Sequence, residues 1–281
     1  MNADWLRFEI SNTGYAFALS VPISNFQPAG PRTSLYWQNQ GGLPTLAGSI
    51  ANDDTVAQWA AAGPYLISVS PDSVSNFHVR RLRVDSLTRL ENQTPSPDFD
   101  QILASAAPTT LDQRQGVVIA ADAVNADFVV AENRRNTTTT ATVVSWYTQQ
   151  NGGYQSAFSR SPDNGTVVDV GVANGHAVVI FDDHVLLVDK AGSTLATYTH
   201  TSGDLARLLS IEDGYIYLAG TIQNTQHQVV NGAFALRATD LTLAGQYTLS
   251  EPVLSTAVVG NYRVFGMASA LAVASPLCNS P

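Results

Sequence analysis

The sequence is poor in charged residues, and lysine is nearly absent. Asp, Glu, Lys and Arg make up 13% of its 281 residues, against about a quarter in typical globular domains. Lysine and arginine together number 14, Lys190 is the only lysine, and the net charge is −9. The local clusters of cations are Arg80, Arg81 and Arg83, and Arg134 and Arg135. Because a phosphate-binding surface needs more clustered cations than these, we expect no nucleic-acid partner.

Cysteine and long apolar runs are also scarce. Cys278 is the only cysteine, which excludes an internal disulfide and a cysteine-based metal site. No apolar run approaches the roughly 18 residues that a membrane-spanning helix needs, so we expect no membrane insertion. The first residues, NADWLRFEIS after Met1, show no charged segment followed by an apolar one. We therefore expect no signal peptide in this chain.

A tight turn followed by an alternating apolar strand occurs six times. In EDGYIYLAGT (212–221) the turn reaches Gly214, and apolar residues then occupy both strand faces. The other copies are NTGYAFALSV (12–21), AAGPYLISVS (61–70), VNADFVVAEN (124–133), ANGHAVVIFD (173–182) and VGNYRVFGMA (259–268). Glycine at such a turn supplies the positive φ that tight hairpins require, and Asn125 stands near that position in one copy.

Each repeat unit holds four strands, called A to D in chain order. An apolar strand precedes every turn, and a second hairpin follows the first five copies. Four antiparallel strands at a spacing of roughly 40 to 60 residues are typical of a β-propeller. We therefore predict an all-β fold, a single β-propeller domain over residues 1–281 with about six four-stranded blades, the last incomplete. The blades are expected at about 4–50, 55–94, 115–160, 165–201, 204–250 and 252–277. A pair of sandwiches and a β-solenoid are the alternatives.

The fifth repeat carries a family resemblance. Its sequence DGYIYLAGT…GAFALRATDLTLAGQYTL resembles the repeat of seven-bladed β-propeller proteins of bacterial surfaces. Shared features are a glycine, an aromatic alternating strand, Gly-Thr, and a phenylalanine-containing strand that ends in Asp and is followed by Gly. The resemblance implies a scaffolding or ligand-binding role and passes on no catalytic residues.

The predicted connections differ in length between the two ends of the blades. The A–B and C–D turns are short, whereas the B–C and D–A connections are long. The long connections are 21–33, 91–115, 132–140 and 221–232. Binding residues concentrate on long loops held by a rigid scaffold, so we expect the ligand at the end that carries the B–C turns, the B–C end.

Seven residues in or beside these connections are candidate binding residues. They are Phe26, Arg32, Asp98, Asp100, Arg134, Arg135 and His227. Arginines bind carboxylates or phosphates by paired hydrogen bonds. Alternate carboxylates, as in SPDFDQ (96–101), can bind Ca²⁺ or act as an acid–base pair. An aromatic ring or a histidine in a loop is free to meet a ligand.

The densest polar cluster is HAVVIFDDHVLLVD (176–189), which combines Asp182, Asp183 and His184 with His176. Its spacing matches no metal-ligand motif, and paired aspartates commonly cap a turn. No G-x-S-x-G nucleophile motif is present. We predict no catalytic residue, no metal and no cofactor.

These observations predict a non-catalytic binding or scaffolding propeller with a protein or carbohydrate ligand at the B–C end. Low charge and abundant Thr, Ser and Asn favour an extracellular or cell-surface location, or the periplasm. Two alternatives stay open. One is a hydrolase or lyase that uses Asp and His at the same end, and the other is a structural component of a surface or viral assembly.

Overall fold

The computed structural model describes most of the chain. The described residues are 4–10, 14–21, 32–38, 45–51, 58–62, 64–83, 97–107, 110–122, 124–160, 165–201, 203–223, 226–259 and 262–274. For residues 4–51, and for 160, 258 and 259, the description covers the backbone alone. Every regular element within these ranges is a β-strand. Among the same residues, no helix is long and apolar enough to cross a membrane.

The strands form six antiparallel sheets in which neighbours in sequence are neighbours in space. Blade 1 contains β1 (Asp4–Ile10), β2 (Gly14–Val21), β3 (Arg32–Gln38) and β4 (Thr45–Ala51). Blade 2 contains β5 (Gln58–Ala62), β6 (Tyr65–Ser73), β7 (Asn76–Arg83) and β8 (Phe99–Ala104). Blade 3 contains β9 (Gln113–Ala121), β10 (Phe128–Arg135), β11 (Thr140–Gln150) and β12 (Gly153–Arg160).

The second half of the chain repeats this plan. Blade 4 contains β13 (Val167–Ala173), β14 (His176–Phe181), β15 (His184–Val188) and β16 (Thr194–Thr199). Blade 5 contains β17 (Leu205–Glu212), β18 (Tyr215–Gln223), β19 (Val229–Arg237) and β20 (Leu243–Leu249). Blade 6 contains β21 (Ser255–Val259), β22 (Tyr262–Gly266) and β23 (Leu271–Ala274). Repeated four-stranded meanders are the blades of a β-propeller, so the predicted fold class is confirmed.

The chain divides into two compact units, residues 1–162 and residues 163–281. In the first unit the A strands of successive blades contact each other, β1 with β5 and β5 with β9. In the second unit the A strands do the same, β13 with β17 and β17 with β21. Within each unit the A strands therefore form the common inner edge, as propeller blades require. A single domain over the whole chain stays a prediction.

The core of each unit lies between successive sheets, so the B and C strands are covered on both faces. In the first unit Phe128 stacks on Tyr147 with ring centroids 5.0 Å apart, and Tyr154 meets Phe128 edge-on at 4.8 Å. In the second unit Phe234 and Leu236 are fully buried within one apolar cluster. Strands buried on both faces read as continuous apolar runs, which is why AVVIF and FVVA lack a polar face.

Tight turns begin the B strands where the sequence predicted them. Asn174 and Gly175 have φ of 51° and 74°, and Asp213 and Gly214 have φ of 53° and 78°. Positive φ at both central residues defines the type I′ hairpin, whose twist matches that of the flanking strands. The turn-and-strand pattern is thus confirmed at Gly175 and Gly214.

Strands extend into all four predicted loops, with the clearest corrections in 91–115 and 132–140. Residues 99–104, inside the predicted loop 91–115, form β8, which pairs with β7 from Arg81↔Phe99 to Asn76↔Ala104. Phe99 supplies the physical reason, because its side chain is 5% exposed in the core between blades 2 and 3. The fourth strand of blade 2 therefore lies beyond the predicted boundary at residue 94. The segment 84–96, where that strand was expected, lies outside the described residues.

The second corrected loop is 132–140. Strand β10 continues through Arg135, and β11 begins at Thr140, which leaves a turn at 136–139. The B–C connection of blade 2 is shorter still, at residues 74–75, and that of blade 4 is 182–183. The difference in loop length between the two blade ends is therefore weaker than predicted.

Candidate functional site

The two aspartates predicted to bind ligand are both engaged inside blade 2. The carboxylate of Asp98 accepts hydrogen bonds from Nε and Nη2 of Arg81 at 3.1 and 3.0 Å. Asp100 lies 3.5 Å from Nε of Arg80 and also contacts Nε2 of His78. Arg80 donates to Nδ1 of His78 at 3.0 Å, so Nε2 carries the histidine proton that faces Asp100. The carboxylates act as ion-pair partners across β7 and β8.

The two predicted arginines of blade 3 have opposite environments. Arg134 is 1% exposed, lies on strand β10 and belongs to a buried ion cluster, so the prediction that it lies in a loop is wrong. Its contact with a ligand stays a prediction. Arg135 is exposed at the end of β10, where its Nε donates to Oε1 of Gln113 at 2.9 Å. Of these two arginines, Arg135 is the exposed one.

The remaining predicted residues lie elsewhere. His227 is exposed with φ of 59°, and its carbonyl accepts a hydrogen bond from Nε2 of Gln223 at 3.4 Å. Arg32 begins β3, where its backbone pairs with Val21 and Ala51, and its side chain lies outside the description. Phe26 lies outside the described residues. In the first unit Asp98 precedes β8 and Arg135 ends β10, which places them at opposite blade ends.

The ion cluster next to Arg135 is the most strongly buried charged group among the described side chains of the first unit. Glu132 is 1% exposed, and its Oε2 accepts from Nε of Arg114 at 3.0 Å and from Nε of Arg134 at 2.8 Å. Its Oε1 accepts from the Ser105 hydroxyl at 2.6 Å, which in turn accepts from Nη2 of Arg134 at 3.0 Å. Two guanidinium groups thus share one carboxylate, and we call these four residues the Glu132 cluster.

Arg114 extends the Glu132 cluster from blade 3 to blade 2. Its Nη1 donates to the carbonyls of Ser73 at 2.6 Å and Asn76 at 3.3 Å. Its Nη2 donates to the carbonyl of Val74 at 3.1 Å, and its guanidinium lies 4.4 Å from the centroid of the Phe77 ring. One side chain of β9 therefore holds the β6–β7 turn in place at the B–C end.

A second arginine joins the same two blades at the opposite end. Besides its paired hydrogen bonds to Asp98, the Arg81 guanidinium lies 4.6 Å from the centroid of the Tyr65 ring. Its Nη1 is 3.5 Å from the hydroxyl of Tyr154, and that hydroxyl donates to the carbonyl of Ala126 at 2.9 Å. Burial alone would lower the pKa of Arg81, but its hydrogen bonds to Asp98 and Tyr154 raise the pKa above its ordinary value. Blades 2 and 3 are thus fastened at both ends.

The surface above the Glu132 cluster is polar and linked by hydrogen bonds. Oδ1 of Asn136 accepts from the backbone N of Thr138 at 2.9 Å and of Thr139 at 2.8 Å, and from the Thr138 hydroxyl at 3.1 Å. Its Nδ2 donates to the carbonyl of Thr110 at 3.1 Å. An Asn that binds the backbone two residues on makes an Asx turn, which fixes the loop. We call Gln113, Arg135, Asn136, Thr138 and Thr139 the blade-3 polar surface.

An apolar contact anchors the neighbouring connection. Leu111 is 8% exposed and packs with Ala141 and Val143, which belong to β11. Both loops that border the blade-3 polar surface are thus held to the sheet, one by hydrogen bonds and one by apolar packing.

Several residues of this site escaped the sequence interpretation. None of Gln113, Arg114, Glu132 and Asn136 was predicted from the sequence as a binding residue. The available signal was Glu132-x-Arg134, because residues two apart on a strand share a face and can pair. The third member, Arg114, is 18 residues away in sequence, and no local pattern identifies it.

The polar cluster of blade 4 forms local contacts. Nδ1 of His184 lies 2.5 Å from Oδ1 of Asp183, and the His184 ring stacks on Phe181 with centroids 4.3 Å apart. His176 begins β14, at the far end of that strand from Phe181. Within the described ranges, no three His, Cys, Asp or Glu side chains converge as ligands for a metal ion.

Comparison with known proteins identifies the fold. No family model and no curated protein matches the sequence. Among solved structures, the Saccharomyces cerevisiae protein Sqt1 matches with a TM-score of 0.54 and 9% identity, over 98% of this chain and 86% of Sqt1. A chain of the mitotic checkpoint complex matches with a TM-score of 0.54 and 13% identity, over 93% of this chain and 70% of that one.

A third match is a prolyl endopeptidase, with a TM-score of 0.59 and 14% identity. It covers 98% of this chain but 39% of the endopeptidase, so the likeness concerns part of that enzyme. At such identities a structural match shows the fold alone. With its repeated four-stranded blades, the chain is a β-propeller protein.

Proposed function

We propose that this protein is a non-catalytic binding or scaffolding β-propeller whose ligand is a protein that docks on the blade-3 polar surface. The observation that carries the proposal is the exposed guanidinium of Arg135 beside the Asx turn of Asn136. An exposed arginine next to amide and hydroxyl groups suits a partner that presents a carboxylate and backbone polar groups.

The Glu132 cluster supports this proposal by making the surface rigid. The carboxylate and guanidinium groups of the cluster are desolvated and mutually bound, so any movement of β10 would break several charged hydrogen bonds. A surface that is already ordered loses little conformational entropy when it binds. The chain that shares the fold in the mitotic checkpoint complex is part of a complex. That agrees with a propeller that binds proteins.

The competing enzyme proposal uses Asp and His at the B–C end. In blade 2 the candidate carboxylates Asp98 and Asp100 are bound to Arg81, Arg80 and His78, and Asp98 lies at the end opposite the B–C end. The polar, non-catalytic surface of blade 3 is therefore the better supported site.

Site-specific photocrosslinking tests the proposal. A photoreactive amino acid placed at exposed Thr139 should capture a defined protein from an extract of the source cells. The same group at exposed Asn151, in the C–D turn at the opposite end of blade 3, should not capture it. Capture of the same proteins from both positions would refute a site at the B–C end.

Binding of the captured protein should then depend on Arg135. The charge reversal Arg135→Glu should weaken binding about tenfold or more, equivalent to about 1.4 kcal/mol. The matched control Arg237→Glu changes an exposed arginine of blade 5 and should leave affinity unchanged. A glycan microarray is the second arm. If the protein binds a glycan and Arg135→Glu abolishes that binding, the ligand of this surface is a carbohydrate and not a protein.

We also propose that the protein is extracellular, displayed on the cell surface or periplasmic. The low charge and the composition rich in Thr, Ser and Asn support this location. Protease digestion of intact source cells tests it, since a displayed protein is cleaved while cytoplasmic markers survive. Retention of the uncleaved chain until lysis would contradict surface display.

A further inference from the structure

The last sheet differs from the others because its C strand is exposed. In blade 4 the C strand β15 has Leu187 at 1% and Val188 at 0% exposure, and the D strand β16 pairs with its outer edge. In blade 6 the C strand β23 is the last described strand, and Leu271 and Val273 are 73% and 65% exposed. β23 is thus an edge strand of its sheet, although it is as apolar as a strand in the interior of a sheet.

One face of blade 6 is already packed. Phe265, Ala272 and Ala274 belong to the cluster that joins blade 6 to β18, β19 and β20 of blade 5. The pairing Val264↔Val273 and Gly266↔Leu271 places Val273 and Leu271 on the opposite face. That face also carries Tyr262, which is 54% exposed. Exposed apolar side chains therefore lie on a strand, β23, whose outer edge pairs with no described strand.

No described strand of this chain is free to complete the sheet. The five other sheets each contain four strands, and each described strand belongs to one sheet. β1 in particular is paired in blade 1 as its first strand, with β2 as its neighbour. A fourth strand for blade 6 must come from outside the described residues.

We propose that the edge of β23 binds an extended β-strand of another polypeptide, independently of the blade-3 polar surface. An exposed strand edge offers unpaired backbone N–H and C=O groups, and strand addition uses them for affinity. Side chains next to Leu271 and Val273 give the specificity, because cross-strand apolar pairs stabilise a sheet. The partner strand is therefore apolar on that face.

Charge defines the flanks of the partner strand. The chain carries a net charge of −9, so a strand flanked by Lys or Arg is attracted to it and a second copy of the chain is repelled. The segment that follows β23, SPLCNSP at 275–281, contains Pro276 and Pro281. Proline has no N–H to donate to a strand ladder, which disfavours this segment as the added strand.

A peptide that copies the fourth strand of blade 5 is a direct probe. β20 has the sequence LAGQYTL and pairs with the C strand of blade 5. A peptide with this sequence and two lysines at each end therefore mimics a fourth strand for blade 6. The matched control peptide has proline in place of the glutamine that corresponds to Gln246. Hydrogen exchange by mass spectrometry reports protection of residues 271–274, and fluorescence anisotropy reports affinity.

The lysine-flanked peptide should slow exchange of the 271–274 amides about tenfold or more, since exchange measures local opening. The proline peptide should have no effect. The double variant Leu271→Lys/Val273→Lys should abolish binding, because charged side chains block strand addition at an edge. Its matched control is Leu195→Lys, which alters a 51% exposed leucine on the D strand β16 and should keep full binding.

Three results would overturn the proposal. Protection of 271–274 without peptide in a monomer would show that the chain completes the sheet itself. Protection that appears with a concentration-dependent dimer would identify a second copy as the occupant. Equal binding of the proline peptide would show that no strand ladder forms. Each outcome leaves the test of Arg135 unaffected.

Discussion

The Glu132 cluster makes a quantitative prediction about stability. Glu132→Ala removes the carboxylate that Arg114 and Arg134 share, and both guanidinium groups stay in positions where their side chains are 8% and 2% exposed. Ser105 also loses its acceptor at 2.6 Å. The variant therefore leaves two desolvated positive charges side by side.

Removal of one partner from a buried ion pair costs about 3–5 kcal/mol. Because Arg114 keeps its hydrogen bonds to the carbonyls of the β6–β7 turn, we expect Glu132→Ala to lower the free energy of unfolding by about 3 kcal/mol, the lower end of this range. Glu132→Gln keeps an acceptor oxygen but not the charge, so its loss should be smaller. Arg135→Ala removes an exposed side chain and should change the free energy of unfolding by less than about 0.5 kcal/mol.

Urea unfolding of the three variants, followed by tryptophan fluorescence, measures these differences, because Trp146 is fully buried in blade 3. The expected order of stability is Arg135→Ala, then Glu132→Gln, then Glu132→Ala. A loss below about 1 kcal/mol for Glu132→Ala would refute the view that the cluster is desolvated and tightly paired.

Three further predictions concern packing and ionisation. Gly220→Ala should destabilise the second unit by about 1–3 kcal/mol in thermal unfolding, because the new Cβ would lie 2.3 Å from the carbonyl oxygen of Asp204. In the control Gly116→Ala, the new Cβ meets no atom nearer than 3.9 Å, so this variant should be tolerated. Phe234→Ala should cost about 3–5 kcal/mol and Phe234→Leu much less, as measured by urea unfolding, because this ring is fully buried. Burial and the charge of Glu132 raise the pKa of Tyr147 to about 12. The folded state therefore holds the Tyr147 proton more tightly than the unfolded state does. The resulting stability, about 2–3 kcal/mol, is present below pH 10 and is lost as pH rises through 12. Tyr147→Phe should flatten that part of the stability profile, and an unchanged profile would contradict the raised pKa.

The architecture was accessible from sequence because its signals are local. A glycine after Asn174 or Asp213 permits the I′ turn, and the run that follows is apolar on both faces because both faces are covered. Each such signal spans about ten residues and recurs, so the number and order of the blades could be predicted.

The candidate site was less accessible because its contacts are not local. Charged residues at 132–135 suggest a loop, yet Glu132 and Arg134 are buried because Arg114 of the neighbouring strand neutralises and hydrogen-bonds the carboxylate. Likewise Asp98 and Asp100 look available in sequence, whereas their cations lie on β7. Periodicity predicts which face a residue occupies, but not which distant charge it meets.

The reach of Arg114 has a consequence for how the first unit folds. Its bonds to Ser73, Val74 and Asn76 span 41, 40 and 38 residues of chain, about one repeat. Contacts between adjacent repeats link the folding of each module to its neighbour and lower the loop-closure cost relative to contacts across the whole chain. The bonds of Arg114 anchor the β6–β7 turn to β9, in addition to the hydrogen bond from the backbone N of Ser105 to the carbonyl of Ser75 at 2.7 Å. We therefore expect blades 2 and 3 to fold as one cooperative unit, so hydrogen exchange at 73–76 should follow the opening of blade 3.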